Sequence, residues 1–288
     1  SASELYLGGV RRLARLDYCP SHIWDQEWDM LVILDACRLD LMREVQDDFA
    51  FIDTVGRFTS VGSSTTEWLG KTFSKEFSSD INKTAYVTGN PNSVVITEDR
   101  DAVSVDTEPG YIDEVWRYAW DADLGTVQPR PVTERAIATA REHSPERLIV
   151  HYMQPHHPFI PHFDGFETDL HEKWLNQWRD VRVGHISKEE KWSQYRDNLH
   201  YVLEYVELLL RSIDADPVVI SSDHGEAVGE WGIYGHYGIP LPVLREVPWI
   251  ETVARDTGEY DPEFVPEGHD ASGSRRDVQD QLQKLGYV

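Results

Sequence analysis

The sequence predicts an α/β fold, a three-layer α/β/α sandwich around a mostly parallel central sheet. Two observations carry this prediction: four short apolar segments have the length of buried strands, and helical patterns separate them along the chain. Strands that are apolar without alternation are typical of a sheet covered by helices on both faces. A length of 288 residues suits one such unit, so we expect residues 1–288 to form a single domain.

The expected elements alternate in chain order. The four strands are Met30–Leu34, Thr84–Thr88, Arg147–Tyr152 and residues 217–222. Helices are expected at residues 38–45, 133–142 and 195–213, and the last of these carries Leu199, Val202, Leu203, Val206 and Leu210 at helical spacing. Residues 277–287 have the pattern of a closing amphipathic helix.

The segment 162–195 differs from the rest of the chain. It carries Trp174, Trp178 and Trp192 among many charged residues and has no strand pattern. We interpret it as a helical lid inserted over the edge of the sheet where the strands end. The alternative is ordinary aromatic packing within a pair of surface helices, and the sequence favours neither.

The chain is strongly acidic, with 51 Asp and Glu against 27 Lys and Arg and a formal net charge of -24. Because the acidic residues are spread along the whole chain, we interpret the surface as halophile-type, adapted to high salt. Such a charge argues against nucleic acid and anionic membranes as partners. A small anionic substrate would need local positive charge, which a bound metal ion supplies.

Two further features bear on the compartment. No stretch of about 18 apolar residues predicts a membrane span, and the residues after Ser1 lack the apolar core of a signal peptide. The two cysteines, Cys19 and Cys37, are too few for a disulfide scaffold in a chain of this length. We therefore expect a cytoplasmic protein, although earlier N-terminal sequence could have been removed.

Polar residues follow three of the expected strands directly. Asp35 follows the first strand, His156 lies just after the third, and the Asp223-His224 pair follows the fourth. In open α/β sheets, ligands bind at the edge where parallel strands end. The sequence therefore predicts that these four side chains face a common site.

The residue types at this edge suit a metal. Carboxylate and imidazole ligands together favour zinc or manganese, with calcium or magnesium as possible alternatives. Each residue also has a simpler interpretation: Asp35 as the N-cap of the following helix, and Asp223 as a capping residue beside a structural histidine. For Asp35 considered alone, the cap is the better interpretation.

Residues 61–68 contain a cluster of hydroxyl groups before an expected helix. A helix N-terminus offers N–H groups and a positive dipole to a phosphate or sulfate. The spacing of Ser64 and Glu67 equally fits a capping box. Position 66 is Thr rather than Gly, so the Gly-x-Ser-x-Gly pattern of a serine esterase is absent.

Two loops contribute further histidines. His156 and His157 lie in a loop flanked by Pro155 and Pro158, and His236 ends a Gly-rich loop. Either His156 or His236 could bind a metal, hold substrate oxygens or protonate a leaving group. Lone histidines in such loops are usually structural, but the nearby Asp-His pair favours a functional interpretation.

Taken in order, these motifs resemble the alkaline phosphatase superfamily, and within it the sulfatase-like branch that includes sulfatases and phosphoglycerol and phosphoethanolamine transferases. The order is strand-Asp, hydroxyl cluster, Pro-His-x-Pro, Asp-His-Gly-Glu and a Gly-rich loop that ends in a basic residue. Residues 245–249 resemble the short strand that follows in sulfatases. The ordered set covers most of the chain and is far more specific than any one motif.

The resemblance implies an alkaline phosphatase-like fold and a metal-dependent hydrolase or transferase of phosphate mono- or diesters. It places the main metal on Asp35, Asp223 and His224 together with the nucleophile, which matches Thr65, with Ser64 as the alternative. His156 and His236 then fall where the family binds substrate or a second metal. Whether one or two ions bind stays open, because the family's additional carboxylate has no obvious counterpart here.

The chain departs from the sulfatases that use formylglycine. Neither cysteine lies in a Cys-x-Pro-x-Arg motif, and no Arg follows Thr65 at the required spacing. Phosphate esters are therefore the favoured substrates. Two alternatives stay open: a sulfuric ester hydrolase without formylglycine, and a non-catalytic domain that binds anionic glycans or lipid headgroups.

Overall fold

The computed structural model describes residues 20–98, 105, 107–162, 177–236 and 238–264. The strands are β1 (Met30–Leu34), β2 (Gly56–Thr59), β3 (Thr84–Thr88), β4 (Tyr111–Glu114), β5 (Trp120–Asp121), β6 (Thr126–Val127), β7 (Arg147–Tyr152), β8 (Ala215–Ser221), β9 (Ala227–Val228), β10 (Tyr234–Gly235) and β11 (Glu246–Ala254). The helices are α1 (Leu39–Val45), α2 (Thr65–Thr72), α3 (Ser78–Ile81), α4 (Val94–Thr97), α5 (Trp116–Ala119), α6 (Pro129–His143), α7 (Gln177–Val183), α8 (Lys188–Leu210) and α9 (Pro242–Arg245).

Seven strands form one central sheet in the order β2-β11-β8-β1-β7-β3-β4. The five strands from β8 to β4 are parallel to one another, and β11 is antiparallel to both β8 and β2. The sheet is therefore mostly parallel, as the sequence predicts. No helix in the described ranges combines the length and apolarity that crossing a bilayer requires.

The register at the centre of the sheet brings the strand ends together. In β1, Leu34 pairs with Tyr152 of β7, and Ile33 pairs with Ser221 of β8. The three strands run in the same direction and end at the same level. Consequently the residues that follow β1, β7 and β8 meet at one edge of the sheet.

The two faces of the sheet pack against different sets of helices. On one face, Met30, Val32 and Leu34 of β1 join a core cluster that includes the apolar residues of α8, α6 and α1. On the opposite face, Leu31 and Ile33 join a second cluster with Trp68 and Leu69 of α2. Helices thus cover both faces, which confirms the three-layer prediction and explains why β1 shows no alternation.

Three strands of the central sheet lack the continuous apolar run of the others. β2 and β4 are short strands at the two ends of the sheet, and most of their residues are only partly buried. β11 extends to Ala254, beyond the short strand expected at residues 245–249, and mixes buried positions with accessible ones. The polar residues Glu246, Glu251 and Thr252 interrupt its apolar run, so a search for buried strands does not find its full length.

Helix α8 begins at Lys188, earlier than the expected start at residue 195. Ser187 caps it, since its hydroxyl accepts a hydrogen bond from the Glu190 N–H at 3.0 Å. Of the expected lid at 162–195, residues 163–176 lie outside the described residues, as does the expected helix at 277–287. In the described remainder, Trp178 of α7 is buried with its ring centroid 6.4 Å from that of Phe159.

Candidate active site

The turn after β1 holds Asp35 at the end of the central strand. Its N–H donates to Tyr152 O at 3.1 Å, and its carbonyl accepts from the His156 N–H at 3.1 Å. The next residue, Ala36, has a left-handed backbone with φ of 58°. Helix α1 starts only at Leu39 with Arg38 as its N-cap, so Asp35 does not cap a helix and its carboxylate turns into the site.

Four predicted residues converge at this edge. His224 Nε2 lies 3.3 Å from Asp223 Oδ2 and 3.7 Å from Asp35 Oδ1. The Thr65 hydroxyl lies 3.2 Å from His224 Nε2 and 3.5 Å from Asp35 Oδ2. All four side chains are fully buried. We call Asp35, Asp223 and His224 the first group.

The protonation of His224 matches a metal ligand. Its Nδ1 lies 2.7 Å from Gly225 O, which can only accept, so Nδ1 carries the proton and the Nε2 lone pair faces the two carboxylates. Burial lowers the pKa of His224 below its ordinary value, although the Asp223 carboxylate opposes this shift, so the ring is neutral near pH 7. Three electron-rich atoms that face one another in a buried space need positive charge between them, and this donor set fits a divalent cation.

Hydrogen bonds from the turn after β1, from the turn after β8 and from the segment after β3 orient the carboxylates of the first group. Asp223 Oδ1 accepts from the N–H groups of Ala36 at 3.1 Å and His224 at 2.9 Å, and Asn90 donates a short hydrogen bond to Asp35 Oδ2. These contacts fix the orientation of both carboxylates, so each presents its other oxygen toward His224.

Thr65 is the first residue of α2 and points its hydroxyl at the first group. Ser64 before it is the N-cap, and its hydroxyl accepts from the Glu67 N–H at 3.4 Å. Glu67 Oε2 in turn accepts from the Ser63 N–H at 2.8 Å. The capping interactions predicted from the sequence are present, and they leave Thr65, not the alternative Ser64, next to the candidate metal ligands.

A second group lies beside the first and consists of His156, His157 and Glu226. One ligand atom from each lies within 4.8 Å of the others, and all three residues are buried. Burial lowers the pKa of His156 to about 3 and that of His157 well below its ordinary value. Two neutral imidazoles and a carboxylate also fit a divalent cation.

His236 lies between the two groups. Its ring centroid is 4.5 Å from that of His224 and 5.2 Å from that of His156, and its Nδ1 lies 3.1 Å from Glu226 Oε2. Burial lowers the pKa of His236 to about 4. The structure therefore brings both predicted loop histidines to the site.

Glu226 and His157 are site residues to which the sequence reasoning assigns no role. Burial raises the pKa of Glu226 to about 7, against the opposing effect of the nearby histidines. The sequence could have indicated Glu226, because it lies two residues after the candidate ligand His224 in the run Asp223-His224-Gly225-Glu226.

Cys37 lies immediately behind the site. Its thiol is fully buried, and its N–H donates to the Ser222 hydroxyl at 2.9 Å. Burial raises the pKa of the Cys37 thiol well above its ordinary value. The residue is therefore an unreactive core thiol in the folded protein.

No family model matches the chain, and no curated protein sequence matches it. Solved structures do match. The soluble domain of lipooligosaccharide phosphoethanolamine transferase A from Neisseria meningitidis aligns with a TM-score of 0.53 and 15% identity, over 89% of this chain and 86% of that one. A 2-O GAG sulfatase aligns with a TM-score of 0.50 and 12% identity, over 90% of this chain and 70% of that one.

The integral membrane form of the Neisseria meningitidis transferase aligns with a TM-score of 0.52 and 14% identity. The alignment covers 97% of this chain but 60% of that protein, so this chain spans less than two thirds of its length. At such identities the likeness concerns the fold. This chain therefore shares the α/β/α fold of these transferase and sulfatase structures.

Proposed function

We propose that the protein is a metal-dependent hydrolase or transferase of phosphate esters that uses Thr65 as its nucleophile. One observation carries the proposal: the Thr65 hydroxyl lies 3.2 Å from His224 Nε2 and 3.5 Å from Asp35 Oδ2, at the N-terminus of α2. A threonine in that position is adjacent both to the candidate metal ligands and to backbone N–H groups that suit an anion.

The first group would hold the metal together with Thr65, and the second group would hold another ion if two bind. A divalent cation held there would lower the pKa of the Thr65 hydroxyl and would polarise an oxygen of the ester. Oxygen and nitrogen donors together favour zinc or manganese. His224 keeps its proton on Nδ1 through Gly225, which leaves Nε2 available as a ligand.

The reaction follows from the positions of the side chains. Asp35 Oδ2 lies 3.5 Å from the Thr65 hydroxyl and can accept its proton. Oγ1 then forms a bond to phosphorus while the bond from phosphorus to the ester oxygen breaks, which gives phosphothreonine at position 65. His236, whose ring is hydrogen-bonded to Glu226, lies beside the leaving group, and the departing alkoxide takes its proton from water.

A second displacement completes the cycle. Water, or an acceptor alcohol in a transferase, attacks the phosphorus of phosphothreonine, and the hydroxyl of Thr65 is restored. The substrate is a small anionic ester, such as a phosphorylated sugar, metabolite or lipid headgroup. Because the site histidines are neutral and the chain carries a net charge of -24, bound cations are needed to attract it.

Substituting Thr65 tests this proposal. Thr65→Ala removes the nucleophile, and we expect kcat on an aryl phosphate to fall by about 10³-fold or more, whereas Thr65→Ser keeps a hydroxyl and retains much of the rate. Ser64→Ala is the matched control, because it removes the neighbouring hydroxyl and costs only the helix cap. Trapping a phosphorylated peptide that contains residue 65 would identify the intermediate.

A substrate panel decides between the proposal and its alternatives. Aryl phosphate monoesters, diesters and aryl sulfates are assayed at high salt with zinc, manganese, magnesium and calcium. Turnover of phosphates that depends on Thr65 supports the proposal. Turnover of sulfates alone would favour the sulfuric ester hydrolase, and metal binding without any turnover would favour the non-catalytic binding domain. Wild-type activity in Thr65→Ala would contradict the assigned nucleophile.

A further inference from the structure

Helix α8 contacts the turn and the loop that carry the two groups of candidate ligands. Tyr195 and Asn198 lie three residues apart, on the same face of the helix, and both are buried. Tyr195 contacts the turn that carries Asp35, and Asn198 contacts the loop that carries His156 and His157. None of these contacts involves a candidate metal ligand atom.

Tyr195 holds a strained turn. Its hydroxyl donates a short hydrogen bond to Ala36 O, and Ala36 has the left-handed backbone conformation that residues with a Cβ rarely adopt. On its other side, the Ala36 N–H donates to Asp223 Oδ1 at 3.1 Å. The Ala36 peptide groups are thus held at both ends, and this conformation directs the Asp35 carboxylate into the first group.

Asn198 holds the histidine loop through a single amide. Its Nδ2 donates to Pro155 O at 3.1 Å, His156 O at 3.1 Å and Pro158 O at 3.2 Å. Its Oδ1 accepts from the Ile160 N–H at 3.1 Å. Only a side chain that both donates and accepts hydrogen bonds can satisfy these backbone groups. An ionised aspartate has the same shape and fits the space, but it cannot donate to the three carbonyl oxygens.

We infer that Tyr195 and Asn198 are positioning residues, and that α8 sets the placement of the first and second groups relative to each other. Two loops from different strands meet at the site, and one rigid helix of 23 residues fixes both through buried hydrogen bonds. This inference shares one premise with the proposed function, which is that the two groups bind metal ions. It does not depend on which reaction the protein catalyses.

The first test concerns Tyr195. Tyr195→Phe removes one hydroxyl, and we expect the affinity of the first group for Zn²⁺ to fall by about 10–100-fold, with a parallel fall in kcat. Adding Ala36→Gly should restore most of the Zn²⁺ affinity, because glycine adopts a φ of 58° without strain. Tyr201→Phe on the same helix is the matched control, since the Tyr201 hydroxyl contacts Gln128 instead.

The second test concerns Asn198. We expect Asn198→Asp to lower the Zn²⁺ affinity of the second group by about 10–100-fold and to leave the first group within about twofold. Calorimetric titration with Zn²⁺ and metal analysis of the protein measure both effects, and circular dichroism checks that each variant is folded. A merely structural role would lower the melting temperature of the variant and leave the Zn²⁺ affinity of the folded protein unchanged.

The outcomes separate this inference from the proposed function. If Tyr195→Phe and Asn198→Asp bind Zn²⁺ as the wild type does, or if Ala36→Gly fails to restore Tyr195→Phe, the positioning role is wrong. If the variants lose Zn²⁺ affinity as expected but the wild type turns over no ester, the positioning role stands and the proposed function fails. Because the titration needs no substrate, each result is read independently of activity.

Discussion

Gly225 stands between the candidate ligands His224 and Glu226, where the chain passes close to another loop. A Cβ at this position would lie 2.1 Å from Val243 O, a backbone atom that cannot rotate away. The Gly225 N–H donates to Leu244 O at 2.9 Å, so the two segments are also joined by a hydrogen bond. The glycine allows two candidate ligands of different groups to lie within one short turn.

We therefore expect Gly225→Ala to disturb stability and metal binding together. The clash should cost about 1–3 kcal/mol or more of the free energy of unfolding, because the backbone must shift. Chemical denaturation and Zn²⁺ titration measure the two effects. Gly258→Ala is the comparison: no atom lies near its Cβ, so only backbone strain of about 1–2 kcal/mol is expected, and Zn²⁺ binding should be unchanged. Equal Zn²⁺ affinity in Gly225→Ala and the wild type would contradict this explanation.

At the residue scale, Asp35, Asp223 and His224 can be found from the sequence because each follows a recognisable strand, whereas Thr65 is singled out only by the resemblance to the sulfatase-like branch. Ser64 and Thr65 illustrate the limit, since neighbouring hydroxyls are equivalent in sequence and only the cap geometry distinguishes them. The role of Asn198 cannot be predicted from the sequence. Its role depends on three carbonyl groups of a loop about 40 residues away, and an asparagine within a helical pattern carries no mark of that contact.

At the scale of elements, Glu134 of α6 anchors the segment that follows β11. Its side chain is fully buried and accepts from Tyr260 OH at 2.7 Å, the Glu263 N–H at 2.7 Å and Arg130 Nε at 2.6 Å. Burial raises the pKa of Glu134, but the hydrogen bonds from Arg130 and Tyr260 outweigh this effect, and the pKa lies below its ordinary value. The ionised carboxylate therefore stabilises the docked segment.

This arrangement predicts a pH-dependent contribution to stability. Because the folded-state pKa of Glu134 is lowered, its contribution is complete above the unfolded pKa of about 4.3 and disappears as the pH falls through the folded value. We expect Glu134→Gln to cost about 1–3 kcal/mol at pH 7 and progressively less below about pH 4. Urea denaturation of both proteins across this range measures the difference. A difference that stays constant down to pH 3 would contradict the assigned ionisation.

The elements predicted correctly are those buried on all sides. β1 and β3 are buried throughout, and β7 nearly so, and their continuous apolar runs mark them with the observed bounds. β2 and β4 escape prediction because an end strand is only half buried, so its sequence reads like a loop. Helix α6 begins earlier than expected, at Pro129, because a proline is tolerated in the first turn, where its missing N–H has no partner to lose.

At the scale of the whole molecule, the dominant property is a formal net charge of -24. Repulsion among dispersed carboxylates disfavours the compact state and is screened by salt, since the Debye length falls from about 10 Å at 0.1 M to about 3 Å at 1 M. We expect the melting temperature to rise when KCl is increased over this range at pH 7, as measured by differential scanning calorimetry.

The control is the same salt step near the sequence pI of about 4.7, where the net charge is close to zero. The rise in melting temperature should be much smaller there, because little net repulsion is left to screen. An equal rise at both pH values would mean that salt acts through hydrophobic or ion-specific effects, and the halophile-type interpretation would lose its physical basis. The charge can be read fully from the sequence, but the position of each carboxylate cannot.

Because Cys37 is buried, its reaction with an alkylating reagent can report how often the structure around it opens. The thiol lies two residues after Asp35, behind the turn that Tyr195 holds, so an alkylating reagent can reach it only when that region separates. In a protein with Cys19 replaced by serine, the rate of Cys37 alkylation would measure how often this part of the molecule opens under native conditions. Slower alkylation of Cys37 after Zn²⁺ is added would show that the bound cation reduces the opening of the turn that carries Asp35.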